Sequence, residues 1–331
     1  MKKTWLQISL LLSASTALLL AGCTSREASL NPDPGSTGTS NTSSKLKVVT
    51  TFYPMYEFSK QVAGDLADVT ALIPPGVEPH DWEPTAKDIA AVKEADVFVY
   101  NGIVEGWAPK VLESAVNSKR IVVEASQAVT LMEGTPEDED EADGGHGSEA
   151  GHDHGESALD PHVWLAPALA QKEVAAIQQA FEQADPAHKD TYQRNADAYI
   201  KKLQQLDDNF QTKLKAVKRK DFITQHSAFA YMAQAYGLTQ VPIAGLSPEE
   251  EPSPEKMVGI VGFAQAHNVQ TIFFETLADP KIAATIAKEV GAKTAVLNPL
   301  EGLTEEEKAQ GLDYITIMTK NLEGLEKALN E

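Results

Sequence analysis

The stretch HKDTYQRNADAYIKKLQQLDDNFQTKLKAV, residues 188–217, decides how the chain is organised. Apolar or aromatic side chains recur in it at Tyr192, Ala196, Tyr199, Leu203, Leu206, Phe210, Leu214 and Val217. Steps of three and four put them on a single stripe of one continuous helix. At 1.5 Å per residue its ~30 residues extend ~45 Å, more than one small domain is wide. A coiled-coil seam is the other use of such a stripe, but the run is short for that and lies between two segments of a different pattern. The expectation is a helix that spans two lobes and holds them together.

On both sides of it, short apolar runs alternate with helical segments. Before it stand Leu46 to Thr51, Val69 to Ile73, Val97 to Tyr100 and Ile121 to Val123, with helices expected over Met55 to Val62 and from the capping box at Thr85 and Asp88. After it stand Phe222 to Thr224, Thr239 to Ile243, Thr271 to Phe274 and Thr294 to Leu297, with helices over Pro254 to His267 and Pro280 to Val290. One amphipathic closing helix is expected from about Glu305. Runs such as Val97 to Tyr100 and Ile121 to Val123 read as strands buried on both faces, as parallel strands are. Strands separated by helices give βαβ units. The predicted fold is therefore α/β, two (β/α)-type lobes with parallel sheets, joined by one long spanning α-helix, with a cleft between them. Its bounds are an N-terminal lobe over 46–187, the linking helix over 188–217 and a C-terminal lobe over 218–331.

Composition narrows the function. The 331 residues carry 28 Lys and Arg against 48 Asp and Glu, a formal charge of −20, which excludes a phosphate-neutralising nucleic-acid face. The single cysteine forms no internal disulfide and no Cys-based zinc finger. Lys2 and Lys3 precede a mostly apolar run from Leu6 to Leu20, and Leu20-Ala21-Gly22-Cys23 follows. That is a secretory signal over 1–22. Its ending resembles the lipobox of bacterial lipoproteins, which implies acylation of Cys23 and a chain working outside the cytoplasmic membrane, held at its surface. Residues 23–45, rich in Ser, Thr, Asn, Gly and Pro, read as a flexible tether. Residues 133–157 hold ten acidic residues with His146, His152 and His154 and no Lys or Arg, an insertion in the first lobe that cannot fold on its own. It reads either as weak, secondary metal capture or as a solvated insert.

Three of the eight histidines stand apart by context. His188 and His267 have polar helical neighbours, whereas His80, His162 and His226 lie beside strand ends or turns in apolar, proline-marked surroundings. Ligands in open α/β sheets bind beyond the C-terminal strand ends, where His80 and His226 fall. Neutral imidazole is the commonest metal ligand and suits zinc. Spacing alone leaves open whether the three converge or fill unconnected polar corners. Asp160 either orients an imidazole or caps the turn at Pro161, and Trp82 and Trp164 either wall the cleft or fill the core.

Five motifs occur in one order: Cys23; the Pro-Gly-x-x-Pro-His run at Pro75 to His80; Asp160-Pro161-His162-Val163-Trp164-Leu165; Thr224-Gln225-His226-Ser227-Ala228-Phe229; and Asn298-Pro299-Leu300-Glu301-Gly302-Leu303-Thr304. The set resembles the zinc-binding lipoproteins of bacterial ABC importers, the ZnuA/AdcA type, over essentially the whole chain from Leu46. The resemblance implies a Zn2+ cargo held by His80 and His162 of the first lobe and His226 and Glu301 of the second. It also implies a membrane permease as partner and a monomeric, extracytoplasmic carrier. Glu275 or a water is the alternative to Glu301. Three nitrogens with one carboxylate favour zinc over manganese, the other metal of the wider group.

A lipid-anchored zinc hydrolase is the rival from another class, since three histidines and an open position also activate water. The chain carries no His-Glu-x-x-His helix and no Gly-x-Ser-x-Gly elbow, and a fourth ligand at Glu301 closes the open position. The reading is a binding protein, not an enzyme.

Overall fold

The computed structural model describes residues 45–134 and 159–331. The expected signal peptide, the tether with Cys23, and the insertion's His146, His152 and His154 lie outside the described residues. The first lobe runs β1 (Leu46–Thr50), α1 (Tyr53–Ala63), β2 (Ala67–Ala71), α2 (Ala86–Glu94), β3 (Val97–Tyr100), α3 (Ala108–Ser114), β4 (Ile121–Glu124) and α4 (Pro167–Ala184). Then come α5 (Lys189–Lys215) and the second lobe: β5 (Asp221–Thr224), α6 (Ala230–Tyr236), β6 (Thr239–Pro242), α7 (Pro254–Ala266), β7 (Thr271–Phe274), α8 (Lys281–Val290), β8 (Lys293–Val296), α9 (Glu305–Ala309) and α10 (Tyr314–Leu329).

Each lobe holds a four-stranded parallel sheet, ordered β2-β1-β3-β4 in the first and β6-β5-β7-β8 in the second. The same strand order occurs twice although no sequence repeat is visible. In such an order the chain reverses direction at the central pair, β1 and β3 or β5 and β7. The crevice beyond those strand ends is where ligands bind.

The long helix forms as its stripe requires. Tyr192, Ala196, Tyr199, Leu203, Leu206, Phe210 and Leu214 are all buried along α5, whose 27 residues span ~40 Å. It packs on α1 and α4 of the first lobe and on α6 and α10 of the second. Tyr192 meets Phe181 edge-on and Tyr199 faces Phe58, both in the first lobe, while Phe210 stacks on Tyr236 of the second at 5.0 Å. The main hydrophobic core is continuous through both lobes, from Val48 and Phe52 to Leu300, Tyr314 and Leu325. Smaller clusters lie elsewhere in each lobe, around Phe98 and Val111 in the first and Ile272 and Ile286 in the second.

Three expectations need correction. Strand β2 starts and ends two residues early because it pairs in register with β1, Leu46 with Ala67 through Thr50 with Ala71. Leu72 and Ile73 then donate to the carbonyls of Thr50 and Thr51 as the chain leaves the sheet. Strand β4 is a sheet edge and is not covered on both faces, so Val122 stays 42% exposed. The single closing helix is two, α9 and α10. Gly311 sits between them at φ 68°, a left-handed position favouring glycine. Asp313 then caps α10 by accepting from the Thr316 amide.

Because one stripe of α5 serves both lobes, truncating it should weaken the molecule as a unit. Phe210→Ala is expected to cost about 3–5 kcal/mol, the usual penalty for emptying a buried aromatic site. Urea denaturation should show a lower midpoint and still a single transition, by tryptophan fluorescence and circular dichroism alike.

Candidate metal centre

Four side chains from four separate loops converge. His80 lies on the loop that leaves β2, His162 on the turn before α4, His226 just after β5, and Glu301 beyond β8. Their ligand atoms all lie within 4.8 Å of one another. Oε1 of Glu301 stands 3.2 Å from His80 Nε2, 3.1 Å from His162 Nε2 and 3.3 Å from His226 Nε2. The Nε2 atoms of His162 and His226 are 3.4 Å apart. His162, His226 and Glu301 are buried, and His80 retains a little exposure at the rim.

The hydrogen bonds behind the imidazoles fix what faces the centre. Nδ1 of His162 lies 2.8 Å from Oδ1 of Asp160, and Nδ1 of His226 lies 2.6 Å from Oε1 of Glu275. A carboxylate only accepts, so each Nδ1 carries the proton and each Nε2 turns its lone pair inward. The same carboxylates take the backbone amides of His162, at 2.9 Å, and His226, at 3.1 Å, locking main chain and ring together. Two lone pairs and an ionised oxygen thus point at one spot. That arrangement is stable only with positive charge in the middle, supplied by protons or by a cation.

The electrostatics follow. Burial disfavours the charged imidazoles, but Asp160 and Glu301 outweigh it and raise the pKa of His162, and Glu275 and Glu301 raise that of His226 well above the ordinary value. Burial likewise opposes ionisation of Glu301, yet His226, His162 and His80 hold its carboxyl well below the usual range.

The donor set suits Zn2+. Donors about 2.0–2.1 Å from a tetrahedral centre stand about 3.3–3.4 Å apart, close to the 3.1–3.4 Å between Glu301 and each imidazole and between His162 and His226, with all four atoms within 4.8 Å of one another. Three imidazoles and one carboxylate are donors of the number and type that a four-coordinate zinc takes.

Several residues that build this geometry were either quoted only as parts of a motif, as Asn298 was, or not singled out at all, as with Asn101, Asn321 and Glu307. Glu301 follows Leu300, which is buried at φ 58° and donates its amide to Asn298 Oδ1 at 2.7 Å. Asn298 exchanges further bonds with Asn321 and Glu307, and Trp164 Nε1 donates to the Pro299 carbonyl at 2.8 Å. Asn101 Nδ2 donates to the Pro161 carbonyl at 3.1 Å, beside His162. Trp164 is fully buried and also faces the His162 ring at 5.3 Å, so it belongs to the core and the site together. Glu275 is not one of the converging donors; it backs His226. His188 and His267 are not among the converging donors; they pair with Asp185 and Asp221.

Comparison with known proteins gives a consistent result. The model of the ZnuA family, described as zinc-uptake complex component A, periplasmic, matches residues 48–328. The high-affinity zinc uptake system protein ZnuA of Bacillus subtilis is 51% identical over 286 residues, 86% of this chain and 88% of that protein. The zinc-binding lipoprotein AdcA of Streptococcus pneumoniae is 43% identical over 98% of this chain, which spans 61% of AdcA's length. The crystal structure of the Zn(II)-bound ZnuA-like domain of that AdcA superposes with a TM-score of 0.72 at 43% identity, over 87% of this chain and all of the domain.

Protons and a metal compete for the same nitrogens, and the sign of the pH dependence follows. Raised imidazole values mean that protonation stabilises the metal-free fold fully below the unfolded value of about 6.5, and that this contribution is lost as pH rises through the folded values. Glu301, being lowered, stays ionised across that window. The gain in Tm on adding Zn2+ should therefore be small at pH 5.5 and grow steadily to pH 8, as paired thermal melts with and without the metal would show.

Proposed function

The chain belongs to the ZnuA family of zinc-uptake complex components, and from that premise we propose that His80, His162, His226 and Glu301 together enclose one Zn2+ for delivery to an ABC permease. The protein is an extracytoplasmic solute-binding component of zinc uptake and not an enzyme; the ion is its cargo. The observation that carries the residue assignment is the convergence of four donor atoms, two from each lobe, around a point that needs positive charge.

Each ligand has a distinct part in this reading. His162 and His226, clamped from behind by Asp160 and Glu275, supply fixed lone pairs. Glu301 supplies the anionic donor, so the N3O set carries a single negative charge and the loaded centre is +1. His80, at the rim, closes the shell from the first lobe. Carboxylates behind ligating imidazoles raise their basicity and fix their orientation, and losing one costs about 10–100-fold in metal affinity.

Cargo delivery places the remaining sequence features. Acylation at Cys23 anchors the chain to the outer face of the membrane, and the tether lets a monomeric carrier reach its permease. His146, His152 and His154 offer weak sites that raise the local supply of metal without forming the tight one. The hydrolase reading is set aside: with Glu301 as fourth ligand the metal has no position for an activated water.

Titration of metal-free protein with Zn2+ is expected to give one tight site, and at ~100 times Kd the fold gains about 2.7 kcal/mol. His226→Ala should abolish both the tight site and the thermal shift. A full shift retained by that variant would refute the assignment. Deleting residues 133–157 should leave the stoichiometry of tight binding at one, measured by competition with a chromogenic chelator.

A further inference from the structure

Tyr231 is the second residue of α6, five positions after His226, and is buried. Its ring comes from the second lobe, but its hydroxyl works in the first. The phenol donates to the Asp160 carbonyl at 2.8 Å and accepts from the Met132 amide, also at 2.8 Å. The Asp160 amide in turn donates to the Met132 carbonyl at 3.0 Å. Three groups therefore close a ring of hydrogen bonds around the backbone of Asp160. The ring of Tyr231 packs with Val163 and Ala166, on the other side of His162 in sequence.

That backbone bears the carboxylate which fixes His162. Asp160 Oδ1 takes both the amide and the Nδ1 proton of His162, so any rotation of the Asp160 peptide swings the imidazole. A continuous path thus runs from His226 along the start of α6 to the Tyr231 hydroxyl, through Asp160, to His162. Its two ends are the nitrogens that meet 3.4 Å apart at the centre. His162 and His226 belong to different lobes, and this path sets their separation independently of the cargo.

We propose that Tyr231 is a positioning residue for the metal, its hydroxyl holding His162 of the first lobe in register with His226 of the second and so slowing release of Zn2+. The inference rests on the reading of His162 as a ligand. Removing the hydroxyl leaves the ring in place and frees the Asp160 peptide, so the effect falls on how long the ion is held.

Four variants of the full chain test it: Tyr231→Phe, Tyr236→Phe, Asp160→Asn and His162→Ala, together with the Tyr231→Phe, Asp160→Asn double variant. Tyr236 lies on the same helix and donates its hydroxyl to Asp207 at 2.7 Å, away from the metal, so it reports what losing a buried phenol bond does by itself. Zinc Kd and the dissociation rate into excess chelator are read beside the Tm of the metal-free proteins. Tyr231→Phe should raise Kd ~10-fold, the lower end of the effect of partners behind metal ligands, mostly through faster dissociation. Tyr236→Phe should leave Kd at the wild-type value. In the Asp160→Asn background the Tyr231 change should add little, because both act through one group. The proposal falls if Tyr231→Phe keeps wild-type Kd and dissociation rate, if both phenylalanine variants weaken binding equally, or if the Tyr231 and Asp160 effects multiply. Retention of tight zinc by His162→Ala would overturn the ligand reading itself, whereas its loss beside an unaffected Tyr231→Phe overturns only the role of Tyr231.

Discussion

The structure depends on one electrostatic constraint: the Glu301 carboxylate oxygen and the inward-facing lone pairs of His162 and His226 are brought within hydrogen-bond distance of each other, out of water, with no donor among the three in those neutral tautomers. Acceptors do not attract acceptors. The fold holds them there because each is braced from behind, His162 by Asp160, His226 by Glu275, and Glu301 by the Leu300 turn that Asn298 stabilises. Braced donors give the ion a site whose ordering cost is met during folding. The binding free energy is then less eroded by the entropy of assembling ligands.

The two sheets supply that bracing economically. Each lobe repeats the same strand order, so each offers one crevice where the chain reverses direction, and the long helix sets the crevices face to face. His226 and Glu275 leave β5 and β7, the strands flanking the second reversal, which is why ligand and brace are neighbours although 49 residues separate them.

Much of this was legible in the sequence, for identifiable reasons. The stripe of α5 is periodic and all of its apolar positions are buried, so its length and its role in joining two lobes could be read directly. His80 and His226 stood out because strand ends followed by irregular chain are where α/β proteins place ligands. What spacing could not give was convergence, since His162 and His226 are 64 residues apart and only tertiary structure brings them together. The motif likeness supplied that step. Edge exposure of β4 was hidden because a strand's own residues do not say what lies beside it. The break at Gly311 was hidden because Glu305 to Gln310 are nearly all strong helix formers and read as the first turns of one longer helix. Glu275 was singled out without its task, for a brace and a ligand are the same residue type until the imidazole between them is located.

The hydrogen bonds that cross between the lobes have a consequence for selectivity. Trp164 donates to the Pro299 carbonyl while Tyr314 of the second lobe donates to the carbonyl of Trp164, and the Gly76 amide donates to the carbonyl of Leu303. These stitches, with the helix behind them, prevent the halves from drifting apart to suit a bigger guest. Calcium asks for six to eight oxygens at about 2.3–2.6 Å, and magnesium for an octahedron of hard donors. Four donors, three of them nitrogen, meet neither demand: such a set lacks the oxygens and the wider spacing calcium needs and the octahedron of hard oxygens magnesium needs, so donor type and number disfavour the alkaline-earth ions.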